Sequence, residues 1–209
     1  MFLLLPTVIE PGFVRLFDGR TTSGWHGFKR QDVPKCWRVI DGNLTVMPGE
    51  DDGDLSSDEV YTDFDLRIEW LVAPGANSGI MYRADEGHSA PWMTGPEMQI
   101  LDDDRHADGK RPETSAGSCY GLYARNPKTV KPAGQWNAAR IVARGSVIEH
   151  WLNGKRVVRY VMGSRDWKNR VANTKFQYMI DYGTLKVGHI VLQDHGDRVA
   201  FRNIRIKRL

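Results

Sequence analysis

The chain has 209 residues, 41% hydrophobic and 26% charged, which excludes a disordered chain and is enough for one domain, 1–209. A domain of this size buries roughly 70% of the surface its unfolded chain exposes. Twenty-nine Lys and Arg against 26 Asp and Glu leave a net charge of +3, too even for a nucleic-acid footprint.

The first apolar run, Met1–Ile9, is too short to span a bilayer. It also lacks the basic n-region and cleavage site of a signal peptide, so it assigns no compartment. Leu16-Phe17-Asp18-Gly19 carries a turn signal ahead of Trp25. Trp37–Ile40, the turn Asp41-Gly42-Asn43 and Leu44–Val46 read as a hairpin, and Asp51–Asp54 as an acidic loop. Phe64, Leu66, Ile68 and Trp70 alternate with Asp65, Arg67 and Glu69, the pattern of a strand with one apolar face. Ile80–Arg83 and Glu97–Leu101 read as further strands, and Asp102–Ser118 as a long polar loop. Ala139–Arg144, Val147–Leu152 and Lys155–Val161, joined by Gly145-Ser146 and Asn153-Gly154, form a three-strand meander. Ser164 is placed to cap a short helix running to about Val171, and Gly188–Gln193 and Val199–Ile206 close the chain as strands. Eight or more antiparallel strands with at most one short helix make an all-β sandwich or jelly roll. Cys36 and Cys119 are too few for a disulfide framework and read as buried thiols.

Nucleotide-binding glycine loops, a serine-nucleophile elbow and zinc-spaced Cys or His pairs are all missing. Asp104–Gly109 echoes the start of a calcium loop, but Ser115 stands where the bidentate Glu belongs. That stretch reads as a solvated loop.

Strand alternation turns Glu69 away from the core, and likewise Glu97, Gln99, Arg83, Gln193 and His195. Two carboxylates, an arginine, two amides and a histidine on one sheet suit the hydroxyls of a saccharide. Trp136, Trp92 and Tyr123 could serve its C–H faces. Each residue alone has a plainer reading as a wet strand position or a surface ion pair. Asn77 in a turn can serve its own backbone, and His150 shares a face with Ile148 and Leu152, as a core-edge histidine would. The joint pattern is what points to a site.

The chain resembles the 3-keto-disaccharide hydrolase domain family, within the concanavalin A-like superfamily. The resemblance rests on Leu16–Gly19 with Gly24-Trp25, Trp37 through Gly42, Tyr61 and Phe64 with Glu69-Trp70, and Asn77–Ile80 with Arg83. It continues through Glu97, Gln99–Asp102, Gly121–Tyr123, Trp136-Asn137 and His150 with Asn153-Gly154, and ends in Gly188–Gly196 and Phe201–Ile204. It implies a jelly roll that hydrolyses 3-keto-glycosides. A ketone at C3 acidifies the C2 hydrogen; a base removes it, the bond from C1 to the leaving oxygen breaks, and water adds afterwards. The step needs no nucleotide cofactor. On this reading His195 or His150 is the base and Glu97 or Glu69 the acid. Arg83 would bind the ketone or enolate oxygen, and Gln99, Gln193, Asn77 and Trp136 would position the sugar. Asp102 would hold a divalent ion, if one polarises the ketone.

Two other classes fit the same residues. One is an ordinary glycosidase using Glu69 and Glu97, whose carboxyls would stand roughly 5 Å apart for retention or 6.5–9.5 Å for inversion. The other is a carbohydrate-binding module without turnover.

Overall fold

The computed structural model describes residues 10–49 and 51–209. The apolar run Met1–Ile9 lies outside them.

Thirteen strands and one α-helix follow one another along the described residues. They are β1 (Val14–Arg15), β2 (Trp25–Gly27), β3 (Trp37–Ile40), β4 (Asn43–Val46), β5 (Leu55–Tyr61), β6 (Phe64–Val72) and β7 (Asn77–Ala84). After these come β8 (Glu97–Leu101), β9 (Asn137–Arg144), β10 (Val147–Leu152), β11 (Lys155–Val161), α1 (Arg165–Ala172), β12 (Gly188–Leu192) and β13 (Val199–Arg208). Two antiparallel sheets result. One has the order β11-β10-β9-β6-β13-β4-β3, with β1 also paired to β13; the other has the order β2-β5-β12-β7-β8.

The hairpins follow from their turn residues. Asp41-Gly42 and Asn153-Gly154 all have positive φ (50°, 75°, 49° and 80°), the backbone that a two-residue turn of matching twist requires. Ser164 accepts a hydrogen bond from the Trp167 N–H and starts α1. No helix among the described residues is long and apolar enough to cross a membrane.

The alternation of β6 sends Phe64, Leu66, Ile68 and Trp70 between the sheets, where they join Ile80, Tyr82, Met98, Ile100, Ile190 and Phe201 in one core. Each such side chain, fully buried, contributes roughly 1.5–3 kcal/mol relative to exposure. Cys36 and Cys119 are buried free thiols, and burial pushes both up to about 12.

One strand was invisible to periodicity. β5 reads Leu-Ser-Ser-Asp-Glu-Val-Tyr and has no regular apolar alternation, yet it pairs with β2 on one side and β12 on the other. Its placement decides which face of the smaller sheet carries the residue before it, Asp54.

Candidate active site

The five-stranded sheet presents one face to the core and the other outward. Met98 and Ile100 of β8 belong to the core, so Glu97 and Gln99 point the other way. Register extends this across the sheet. His26 pairs with Ser56, Ser56 with Val191, Val191 with Met81, and Met81 with Glu97. These residues form one row across five strands, and Phe28 packs on Met81 and Val191 in a cluster separate from the main core. In the next row Gly79 pairs with Gln99, and the N–H of Gln193 donates to the Gly79 carbonyl at 3.0 Å. Asp54 closes that row: its Oδ1 accepts from the Asp194 N–H at 2.9 Å, and its carbonyl accepts from the Phe28 N–H at 2.8 Å.

Glu97 is 8% exposed, and its carboxyl has no hydrogen-bond partner among the described residues. Burial pushes it up to about 8; Lys175 opposes the shift, and the charges of Asp54 and Asp108 add to it. Burial thus favours the protonated form of Glu97 at neutral pH. Asp54 is pushed up only to about 6, by burial, with the Asp194 N–H pulling it down and the Asp194 charge raising it. Burial thus raises Glu97 further than Asp54 on the same sheet face, the kind of separation that general acid–base chemistry uses.

Gly79 explains the lie of the acid. A Cβ at this position would overlap Glu97 Oε1 and come within 2.7 Å of its Cδ, so the Glu97 side chain lies directly over the glycine. In Gly79→Ala the flexible carboxyl must move while the strand remains. The expected result is a folded protein with a near-unchanged melting temperature and a large fall in kcat. An unaltered kcat would show that the carboxyl's position there is immaterial.

The other residues expected to meet here separate into several places. Gln99, Gln193 and Asn77 lie with Glu97; Asn77 donates its N–H to Asp197 and leaves Oδ1 buried and unpartnered. His195 is exposed in the loop after β12, two residues beyond Gln193.

Glu69 lies on the outer face of the eight-stranded sheet, with the whole core between it and Glu97. It is held by Arg202 at 2.8 Å and Asn203 at 3.0 Å, and Trp136 lies under the same Arg202 at 3.9 Å. Packed sheets are about 10 Å apart, so carboxyls on their two outer faces exceed the separation of either glycosidase geometry. That removes Glu69 and Glu97 as a catalytic pair and places Trp136 on the face opposite Glu97.

His150 is fully buried between the sheets. Its Nε2 meets the Tyr82 hydroxyl at 2.8 Å and its Nδ1 the Gly117 carbonyl at 3.2 Å; Tyr82 also bonds Tyr160. Burial pushes His150 down to about 4. It is a neutral core histidine that no sugar reaches, which corrects its expected role as a base.

Arg83 has a positive φ of 54°, beside a register shift in the β7–β12 pairing, and so departs from simple alternation. Its guanidinium donates to the Thr62 and Gly145 carbonyls, each at 2.8 Å, and to Asp63 at 3.3 Å. It braces the strand ends rather than facing the Glu97 row.

Asp102 accepts from the N–H groups of Gly75 and Asp104, so both its oxygens serve turns. Among the described residues no group of three or more His, Cys, Asp or Glu side chains is arranged to hold a metal ion. Tyr123 is stacked on Tyr160 at the edge of a cluster with Trp167, and Trp92 is partly exposed in a short 3-10 turn.

Residues 12–207 match the family described as 3-keto-alpha-glucoside-1,2-lyase-like domain. The 3-keto-disaccharide hydrolase of Bacteroides thetaiotaomicron is 34% identical over 237 aligned positions, which cover 99% of this chain and 81% of that protein. A Parabacteroides distasonis protein solved as a candidate glycosyl hydrolase superposes with a TM-score of 0.87 at 34% identity, covering 95% of this chain and 94% of its own. The carbohydrate-binding module CBM66 of Bacillus subtilis shares the fold alone, with a TM-score of 0.56 and 13% identity over 88% of this chain and 95% of that one. Matches of that extent make this protein a glycoside hydrolase, and it belongs to the 3-keto-alpha-glucoside-1,2-lyase-like domain family.

Proposed function

We propose that the chain cleaves glycosides whose sugar carries a ketone at C3, by elimination across C1–C2 and then addition of water. The observation that carries this reading is that the carboxyls of Glu97 and Asp54 lie on one amide-lined sheet face, where burial raises Glu97 to about 8 and Asp54 to about 6. Asp54 takes the C2 proton, and the electron pair passes into the C2–C3 enolate. The C1–O bond then breaks to give the 1,2-unsaturated ketone, and Glu97 gives its proton to the departing oxygen. In the second half Glu97, now a carboxylate, takes a proton from the water that adds at C1. Asp54 returns its proton to C2, and both groups end as they began. Gln193 supplies an amide donor and acceptor for the sugar hydroxyls and the enolate oxygen, and Gln99, almost fully buried with its Oε1 accepting from the Ile100 N–H, backs the site from below. The names of the family and of the Bacteroides relative support the keto substrate.

The test is to incubate the protein with a 3-keto-glucoside and with its unoxidised parent, with and without chelator. Release of the aglycone from the keto compound alone is expected. Cleavage of the parent alone would make the enzyme an ordinary glycosidase, and binding of either without turnover would make it a lectin.

A further inference from the structure

A second concavity lies at the end of the sandwich, between α1, the segment 175–187 and the ends of the strands. It has a volume of about 630 Å³, within the range of small-molecule sites, and shares no lining residue with the Glu97 face. Met162, Trp167, Val171, Phe176, Met179 and Leu185 make its walls apolar. Ile180 on its lip is 90% exposed, and neighbouring Tyr178 83%. Such apolar exposure beside a hollow marks a binding surface.

Its charge is one-sided. Arg83, Lys168 and Lys186 line the cleft and no Asp or Glu does. Neither lysine forms an ion pair among the described residues. The Arg83 guanidinium is almost fully buried; its Nε and Nη2 are taken by oxygens, while Nη1 meets only the Met162 thioether at 3.7 Å. A buried cationic donor facing sulfur lacks the acceptor that its desolvation calls for.

We propose that this cleft binds an amphiphile with an apolar body and a carboxylate head, the body on the Trp167–Phe176 wall and the head at Arg83 and the two lysines. Decanoate is a suitable probe, and Trp167 in the wall is a built-in reporter. The full chain would be titrated calorimetrically, and by Trp fluorescence, with decanoate, decanol and decyltrimethylammonium. Decanoate is expected to bind about tenfold or more tighter than decanol, and the ammonium compound not at all. Lys168→Glu with Lys186→Glu should weaken decanoate about tenfold or more, and Val171→Trp should abolish binding by filling the cleft. The surface double variant should keep its melting temperature and its turnover of keto-glycoside, which separates this site from the catalytic one. Equal binding of the three compounds, no binding of decanoate, or an undiminished affinity in the lysine variant would overturn the proposal. So would association with anionic vesicles in the absence of any decanoate binding.

Discussion

Glu97→Gln is expected to lower kcat/KM on a 3-keto-disaccharide by about 10²- to 10⁴-fold, the usual worth of a general acid. The replacement is nearly isosteric and neutral, as Glu97 itself is below about 8. A loss on this scale would therefore reflect the missing proton rather than a disturbed fold. The loss should shrink on a 4-nitrophenyl 3-keto-glucoside, whose leaving group departs without protonation. Equal losses on both substrates would assign Glu97 to binding instead. Stability moves the other way. The carboxyl's pKa is higher in the folded state, near 8, than in the unfolded chain, near 4.5. Its protonation thus favours folding, and the native protein loses that advantage as the pH rises from about 4.5 through about 8. The Glu97→Gln protein should thus gain in relative melting temperature over that window, which a pH series of thermal melts would read.

Asp54→Asn should cost a comparable factor, through loss of the base. Its diagnostic is exchange at C2. The wild-type protein should exchange the C2 hydrogen of a 3-keto sugar with deuterated solvent, whereas Asp54→Asn should not and His195→Asn should. Exchange lost in His195→Asn but kept in Asp54→Asn would return the role of base to His195. The pH profile follows from the same pair. The base must be ionised, so kcat/KM falls as pH drops through about 6, and the acid must be protonated, so it falls again as pH rises through about 8. Asp54→Asn should remove the acid limb and Glu97→Gln the alkaline one.

Much of the fold could be read from short-range pattern. The strands of the meander, the alternation of β6, the Asn153-Gly154 turn and the Ser164 cap each depend on neighbours within a few residues, where one backbone geometry is preferred. Alternation also placed Glu97 and Gln99 outward. It could not say which sheet's outer face a residue occupies, so Glu69 and Glu97 looked like partners although they stand on opposite sides of the molecule. His150 was ambiguous for a related reason. A polar residue on an apolar face is either a site residue or a satisfied core residue, and only its contacts with Tyr82 and Gly117 decide.

Asp54 carries no signal in the sequence because β5 has too many polar residues to show strand alternation, and without that pattern the residue before it has no assignable face. Gly79 carries none because the reason for a missing side chain lies on the neighbouring strand. The amino-acid order by itself determined the all-β class, the main turns and the stock of acids and amides. The placing of Asp54 and Glu97 on one sheet face arose only when β5, β12, β7 and β8 came into register. Pairing brings residues distant in sequence to within a few ångströms, and burial then withdraws water from their carboxyls; no local pattern encodes either effect.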